Sequence, residues 1–438
     1  MFYLHRYKPE LFFQINSAEY SRFIEHPVYK LRNVSLFIGA AMFHFDSMTA
    51  PGYPHPPATP IGMATKMADW IEYIKNETAR VAPGKIFQYA LMFHGYGYHD
   101  TNPNLRLFKH PADAVRGLTD GAGLFNANGI ASLKQYANSF FPALRAELDR
   151  RSLPNPIFID PDNEMNTGIP LGNNLSMAEL DAAIRADPRS RSEKINGRQT
   201  YVQYLDAYRD ALGQPMAGLA HPYDTSRPET ANFYPSLSFD IKDYALNECL
   251  YKYVRKYMPG TKCGNWNVFC SSNTKPSFVV RPKEHPAVFN TQMRADLQIM
   301  QFYGLDWLHS RELDGLSGMK TYDTLTRMYK LSANAAPVEV FLANLAWNID
   351  AAQRANPRKE FVAWPAAQNG TWDASYIAGP SRSLVFDRVV IRRMLEVFKE
   401  YNVRTVGLFK PIPSNELLTE YYHAIKELRH GSPNTTSQ

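Results

Sequence analysis

Cysteine is scarce in this chain of 438 residues: Cys249, Cys263 and Cys270 are the only three, and no two of them form a Cys-x-x-Cys pair. An odd count with that spacing argues against a disulfide framework or a structural zinc site and leaves buried free thiols as the plain reading. No apolar run approaches the ~20 residues that a membrane-spanning helix needs. The opening residues, MFYLHRYKPE, lack the basic-then-apolar order of a signal peptide. Secretion after removal of a leader stays open, so the compartment is not read from the sequence. The 48 basic and 42 acidic residues are interspersed and leave a net charge of +6, without the Lys/Arg block that marks contact with nucleic acid or a membrane surface. Neither partner is expected. Gly-x-Gly-x-x-Gly, the phosphate-binding Gly-x-x-x-x-Gly-Lys-Ser/Thr, the Gly-x-Ser-x-Gly elbow and His-Glu-x-x-His are all missing, so no nucleotide cofactor, nucleophilic serine or helix-borne zinc is expected.

Apolar residues make up 45% of the chain and charged residues 21%, ordinary globular proportions that exclude a disordered or fibrous class. Short runs rich in β-branched and aromatic residues alternate with segments of helical period, the pattern of parallel strands joined by crossover helices. Eight such runs are expected as strands: Leu11 to Asn16, Val34 to Phe45, Ile86 to Gly95, Pro156 to Glu164, Lys262 to Phe269, Gly304 to His309, Phe361 to Ala366 and Val403 to Phe409. Eight is the number that closes a (β/α)8 TIM barrel, and one elaborated barrel accommodates a chain of this length. Between the runs, Met63, Met67, Trp70, Ile71 and Ile74 recur at helical spacing, as do Val390, Met394 and Phe398, and Leu418, Tyr421, Tyr422 and Ile425. Ser176 with Glu179 reads as a capping box, and Gly213 and Gly260 as helix ends. The expected organisation is a single barrel over 1–429, with a long insertion after strand four at about 167–258 and a flexible tail over 430–438. An alternative count replaces the first run by Met216 to His221 and leaves the same residues at the barrel mouth.

The stretch PIFIDPDNEMN, from Pro156 to Asn166, runs an apolar strand directly into Asp160, Asp162, Asn163 and Glu164. Alternation along an uninterrupted strand puts Asp160, Asp162 and Glu164 on one face. Like charges so crowded disfavour joint ionisation and raise at least one pKa, and a carboxyl that stays protonated near neutrality can act as a general acid. An acidic turn or ion-paired carboxylates is the bland alternative; the place at the C-terminal end of a barrel strand favours function. The Asn163-Glu164 pair resembles the Asn-Glu that ends the fourth strand of clan A glycoside hydrolases, and the spacing of Asp160, Asp162 and Glu164 is similar to the end of the family 18 chitinase motif. Both resemblances imply that Glu164 is the proton donor, and the second implies that the Asp before it steers substrate. The chain departs from both. FVAWPAAQNG, from Phe361 to Gly370, has no carboxylate where clan A carries its nucleophile, the next being Asp373, and Ile157, Phe158 and Ile159 stand where the chitinase motif has glycines and a further Asp. Asp306, in GLDWLHSRELDG, is the candidate second carboxylate.

Aromatic and amide residues near the strand ends complete the candidate site. His94 lies at the end of the third run and Tyr96 and His99 follow it, Trp266 lies in the fifth, Trp307 stands beside Asp306, and Trp364 lies in the seventh with Gln368 just beyond it, with Asn163 beside Glu164. Aromatic faces pack on the C-H faces of sugars while fixed polar groups hold the hydroxyls. For each aromatic, core packing is the competing role. Trp70 and Trp347 are assigned to the core, and His5, His26 and His221 to structural positions. The expected function is a glycoside hydrolase acting on an oligo- or polysaccharide, with a carbohydrate as its partner and no cofactor. Two alternatives remain: a carbohydrate-binding barrel without catalysis, and a metal-dependent hydrolase built on His94, His99, Asp100, Asp160, Asp162 and Glu164. Sugar, linkage, stereochemical outcome and oligomeric state are not legible.

Overall fold

The computed structural model describes residues 7–15, 20–40, 59–94, 127–163, 185–186, 188–192, 200, 202–203, 206, 246–267, 294–302, 338–339, 341–342, 345–346, 349, 353, 358–365, 386–408 and 414–430. Eight parallel strands close into a barrel in chain order: β1 (Glu10–Ile15), β2 (Val34–Ala40), β3 (Tyr89–His94), β4 (Phe158–Asn163), β5 (Lys262–Asn267), β6 (Leu297–Phe302), β7 (Glu360–Pro365) and β8 (Thr405–Leu408). The expected TIM barrel is the observed fold. Helices between the strands include α1 (Tyr20–Glu25), α2 (Pro60–Val81), α3 (Ala127–Arg150), α4 (Arg189–Ser192), α5 (Lys252–Tyr257) and α6 (Arg388–Glu400), and α7 (Asn415–His430) follows β8. Most of the segment between β4 and β5, expected as an insertion, lies outside the described residues, as do 431–438, Gly213 and the Ser176 to Glu179 box.

Local chemistry accounts for the helices. Thr59 caps α2 by accepting from the Gly62 N–H at 3.1 Å, and Pro60, at the first helical position, needs no donor partner. The expected stripe is buried at Met63, Met67, Ile71 and Ile74, whereas Trp70 sits at its edge, stacked on the exposed Tyr73. Asp387 caps α6 in the same way, accepting from the Val390 N–H at 2.9 Å, and Val390, Met394 and Phe398 are buried as expected. After α5 the chain turns through Gly260 at φ +86, a left-handed conformation that favours glycine. His26 is structural, as expected. Its Nδ1 accepts from the Val28 N–H and its Nε2 lies 3.2 Å from Thr419 Oγ1 on α7. Burial, reinforced by Arg22, lowers its pKa.

Strand six is a correction. The expected run, Gly304 to His309, lies beyond the strand, which is Leu297–Phe302. Gln, Met and Leu favour helices locally, but Leu297, Gln298, Ile299 and Met300 pair with β5, and the whole of β6 pairs with β7. Closure of the barrel thus overrides propensity here.

Alternate strand residues divide between two cores. Leu11 and Phe13, Leu36 and Ile38, and Tyr89 and Leu91 pack outward in the cluster shared with the helices. Phe12, Phe37, Met92, Phe158, Leu297, Ile299, Val362 and Trp364 fill the barrel. Two interior glycines make room for them. A Cβ on Gly407 would sit 2.9 Å from Phe37 Cε2 and 3.3 Å from Trp364 Cδ2, and one on Gly264 would sit 2.3 Å from Ile299 Cδ1. At the N-terminal end Lys262 pairs with Glu360, whose Oε1 also accepts from Thr405 Oγ1 at 3.4 Å.

The two glycines should respond differently to a methyl group. Gly407→Ala meets rigid rings and should lose about 1–3 kcal/mol, whereas Gly264→Ala, facing the movable end of Ile299, should lose less. Urea denaturation of both variants checks the order.

Candidate functional site

Along the interior of β4 the lining changes from apolar to ionisable within one step. Phe158 belongs to the barrel core and is 1% exposed, and Asp160, two residues toward the C-terminal end, is 0% exposed. A carboxyl group removed from water is costly unless it is engaged, and such groups concentrate at functional sites. Asp160 pairs in register with Met92 on β3, which in turn pairs with Gly39 on β2. It therefore stands on the last apolar layer, facing the end of the barrel where TIM-barrel chemistry takes place.

A bulge follows directly. Met92 pairs with Asp160, but His94 pairs with Asn163, so two residues along β3 answer three along β4. The expected alternation of Asp160, Asp162 and Glu164 assumed an uninterrupted strand, and a register shift of this kind interrupts the pairing of β4 with β3. Beyond the shift, Asn163 is the β4 position paired with His94.

The register maps the strand positions nearest the C-terminal end of the barrel. Gln14 on β1 is level with Phe37, Trp266 on β5 with Ile299, and Gln301 on β6 with Trp364. With His94 and Asn163 they bring residues from five strands to one end of the barrel. Gln14 and Gln301 were not among the sequence candidates. Their signal was a polar residue two positions past an inward apolar one, Phe12 before Gln14 and Ile299 before Gln301. The second was hidden because strand six was expected several residues too late.

Trp364 requires a further correction. It is 0% exposed, and its ring stacks on Phe37 with centroids 4.5 Å apart and planes 25° from parallel. It packs inside the barrel and offers no open face as a sugar platform. Glu164, Asp306, Tyr96, His99, Trp307 and Gln368 lie outside the described residues. Glu164 follows the last residue of β4 directly, and Asp306 and Trp307 belong to the chain that follows β6, not to the strand itself. Among the described residues no group of three or more His, Cys, Asp or Glu could hold a metal ion, and no helix is long and apolar enough to cross a membrane.

No protein-family model and no curated protein matches the chain. Among solved structures it is similar to the β-galactosidase from the psychrophilic Marinomonas ef1, with a TM-score of 0.50 and 11% identity over 96% of this chain. Cold-adapted β-galactosidase from Rahnella sp. R3 gives a TM-score of 0.49 at 11% identity over 97% of the chain. The β-galactosidase of the Antarctic haloarchaeon Halorubrum lacusprofundi gives 0.47 at 10% over 98%. The chain spans 59%, 56% and 59% of those proteins' lengths. What is shared is the fold: the chain has a (β/α)8 barrel similar to that of glycoside hydrolases.

The burial of Trp364 generates a discriminating prediction. Trp364→Ala should cost about 3–5 kcal/mol of stability, as removal of a large core aromatic does, measured by urea unfolding. A platform tryptophan would instead lose ligand affinity with stability nearly intact.

Proposed function

We propose that the chain is a glycoside hydrolase acting on an oligo- or polysaccharide, with Glu164 as general acid/base. The observation that carries this reading is Asp160, a fully buried carboxyl on the interior of β4 just before the Asn163-Glu164 pair. In this reading Glu164 protonates the leaving glycosidic oxygen, and Asp160 and Asp162 tune it or steer the substrate. His94, Asn163 and Trp266, each within the last two residues of its strand, hold the sugar. Tyr96, His99, Trp307 and Gln368 extend that binding surface from the loops. Asp306, beyond β6, supplies the second carboxylate. A separation of roughly 5 Å between the two carboxyl groups gives retention through a glycosyl-enzyme, and about 6.5–9.5 Å leaves room for a water and gives inversion.

A second reading, a carbohydrate-binding barrel without catalysis, is favoured by the chain after β7. That strand ends at Pro365, and no carboxylate follows before Asp373.

The test is hydrolysis of a panel of polysaccharides and aryl glycosides, β-galactosides included, by the wild type and by Glu164→Gln, with binding measured alongside. Loss of a general acid is expected to lower kcat by about 10²- to 10⁴-fold, with binding retained. Binding without turnover by the wild type would support the second reading, and undiminished turnover by the variant would remove Glu164 from its role.

A further inference from the structure

No Lys/Arg block is visible along the sequence, but closure of the barrel gathers one. Lys8 stands two residues before β1, Lys30 and Arg32 four and two before β2, Arg358 and Lys359 two and one before β7, and Arg404 one before β8. All the strands are parallel, so these positions share the N-terminal end of the barrel, and β7, β8, β1 and β2 are consecutive neighbours in the ring. Neighbouring strands lie about 4.8 Å apart, which sets the six cations along one arc. Lys359 is half-buried and the other five are exposed.

The carboxylates described at this end are already engaged. Glu25 and Glu77 pair with Arg80, Glu147 with Arg150 and Arg151, Asp149 with Arg145, Asp296 with Arg255, and Glu360 with Lys262. Glu10 and Glu400 have partners as well. Among the described residues none of the six cations enters an ion pair or a side-chain hydrogen bond. The adjoining sequence, residues 1–6 and 354–357, adds Arg6 and Arg354 and no carboxylate. Like charges held side by side repel, and a complementary anionic partner relieves that cost. A row of exposed point charges on successive loops suits a linear polyanion, whose charges also repeat along a chain.

We propose that this arc is a docking surface for an acidic polysaccharide, separate from the sugar site at the opposite end of the barrel. The choice of a glycan as the polyanion rests on the glycosidase reading; the surface does not depend on Glu164. A barrel held by this face keeps its C-terminal end open, and anchoring raises the local concentration of the bonds it meets there.

The experiment measures binding to polymers matched except for charge: polygalacturonate against its methyl ester, and dextran sulfate against dextran. Wild type and Glu164→Gln should both bind the acidic member at least about tenfold more tightly at low salt, a preference lost near ~1 M salt, where the screening length falls to about 3 Å. Lys8→Gln, Arg32→Gln and Arg404→Gln combined remove three contacts of exposed ion-pair strength and should weaken acidic binding by about tenfold, with turnover of a small aryl glycoside unchanged. Arg358→Gln with Lys359→Gln gives a second readout if the triple variant does not fold. Equal affinity for charged and neutral polymers, or undiminished affinity in the folded variants, overturns the inference. Tighter binding of duplex DNA or of phosphatidylglycerol vesicles through the same residues also overturns it and assigns the arc to that partner. Acidic-polymer binding that the charge variants lose, without turnover of any glycoside, upholds the surface and removes the glycosidase reading.

Discussion

Eight parallel strands closed into a ring enclose a space that only inward side chains can fill, and the stack of Trp364 on Phe37 beside Gly407 shows how closely it is filled. Interior volume is fixed by strand number and stagger, so a large ring from one strand demands a missing side chain on another. Gly407 beside Trp364 and Gly264 beside Ile299 meet that demand. Phe12 and Phe158 close the same layer edge-on, with centroids 5.1 Å apart. Their packing makes an apolar floor, and the side chains beyond it can then be chosen for chemistry rather than for filling.

Asp160 stands on that floor. The bulge that follows it separates the part of β4 that serves the barrel from the part that serves the mouth. Below the bulge, pairing with β3 and β5 is regular: Leu91 with Ile159, and Phe158 with Lys262. Above it the register has slipped by one residue, and Asn163 is level with His94. A short acidic segment can therefore follow a packed strand without leaving its ladder altogether. The opposite end is built for stability, with Lys262, Glu360 and Thr405 joined across neighbouring strands.

Much of the architecture was legible because the barrel's strands and helices differ in period. Phe361 to Ala366 was placed within a residue of β7, and Val390, Met394 and Phe398 were recognised as one buried face. Strand six was misplaced because Leu297 to Phe302 carries residues that locally favour a helix, while GLDWLH nearby imitates a strand. Asp160 was conspicuous for the same reason, as a carboxyl at the end of an apolar run, whereas its burial and the register shift beyond it were not legible.

The sequence alone determined the class of fold, the alternation of strand and helix, and the place along the chain where ionisable groups gather. These depend on local period and composition, which each segment carries with it. Tertiary structure decided that Trp364 packs inward, that Asn163 is the residue paired with His94, and that the sixth strand runs over Leu297–Phe302. Those outcomes depend on register between strands far apart in the chain, and register is settled only when the barrel closes and each interior side chain must fit against the others.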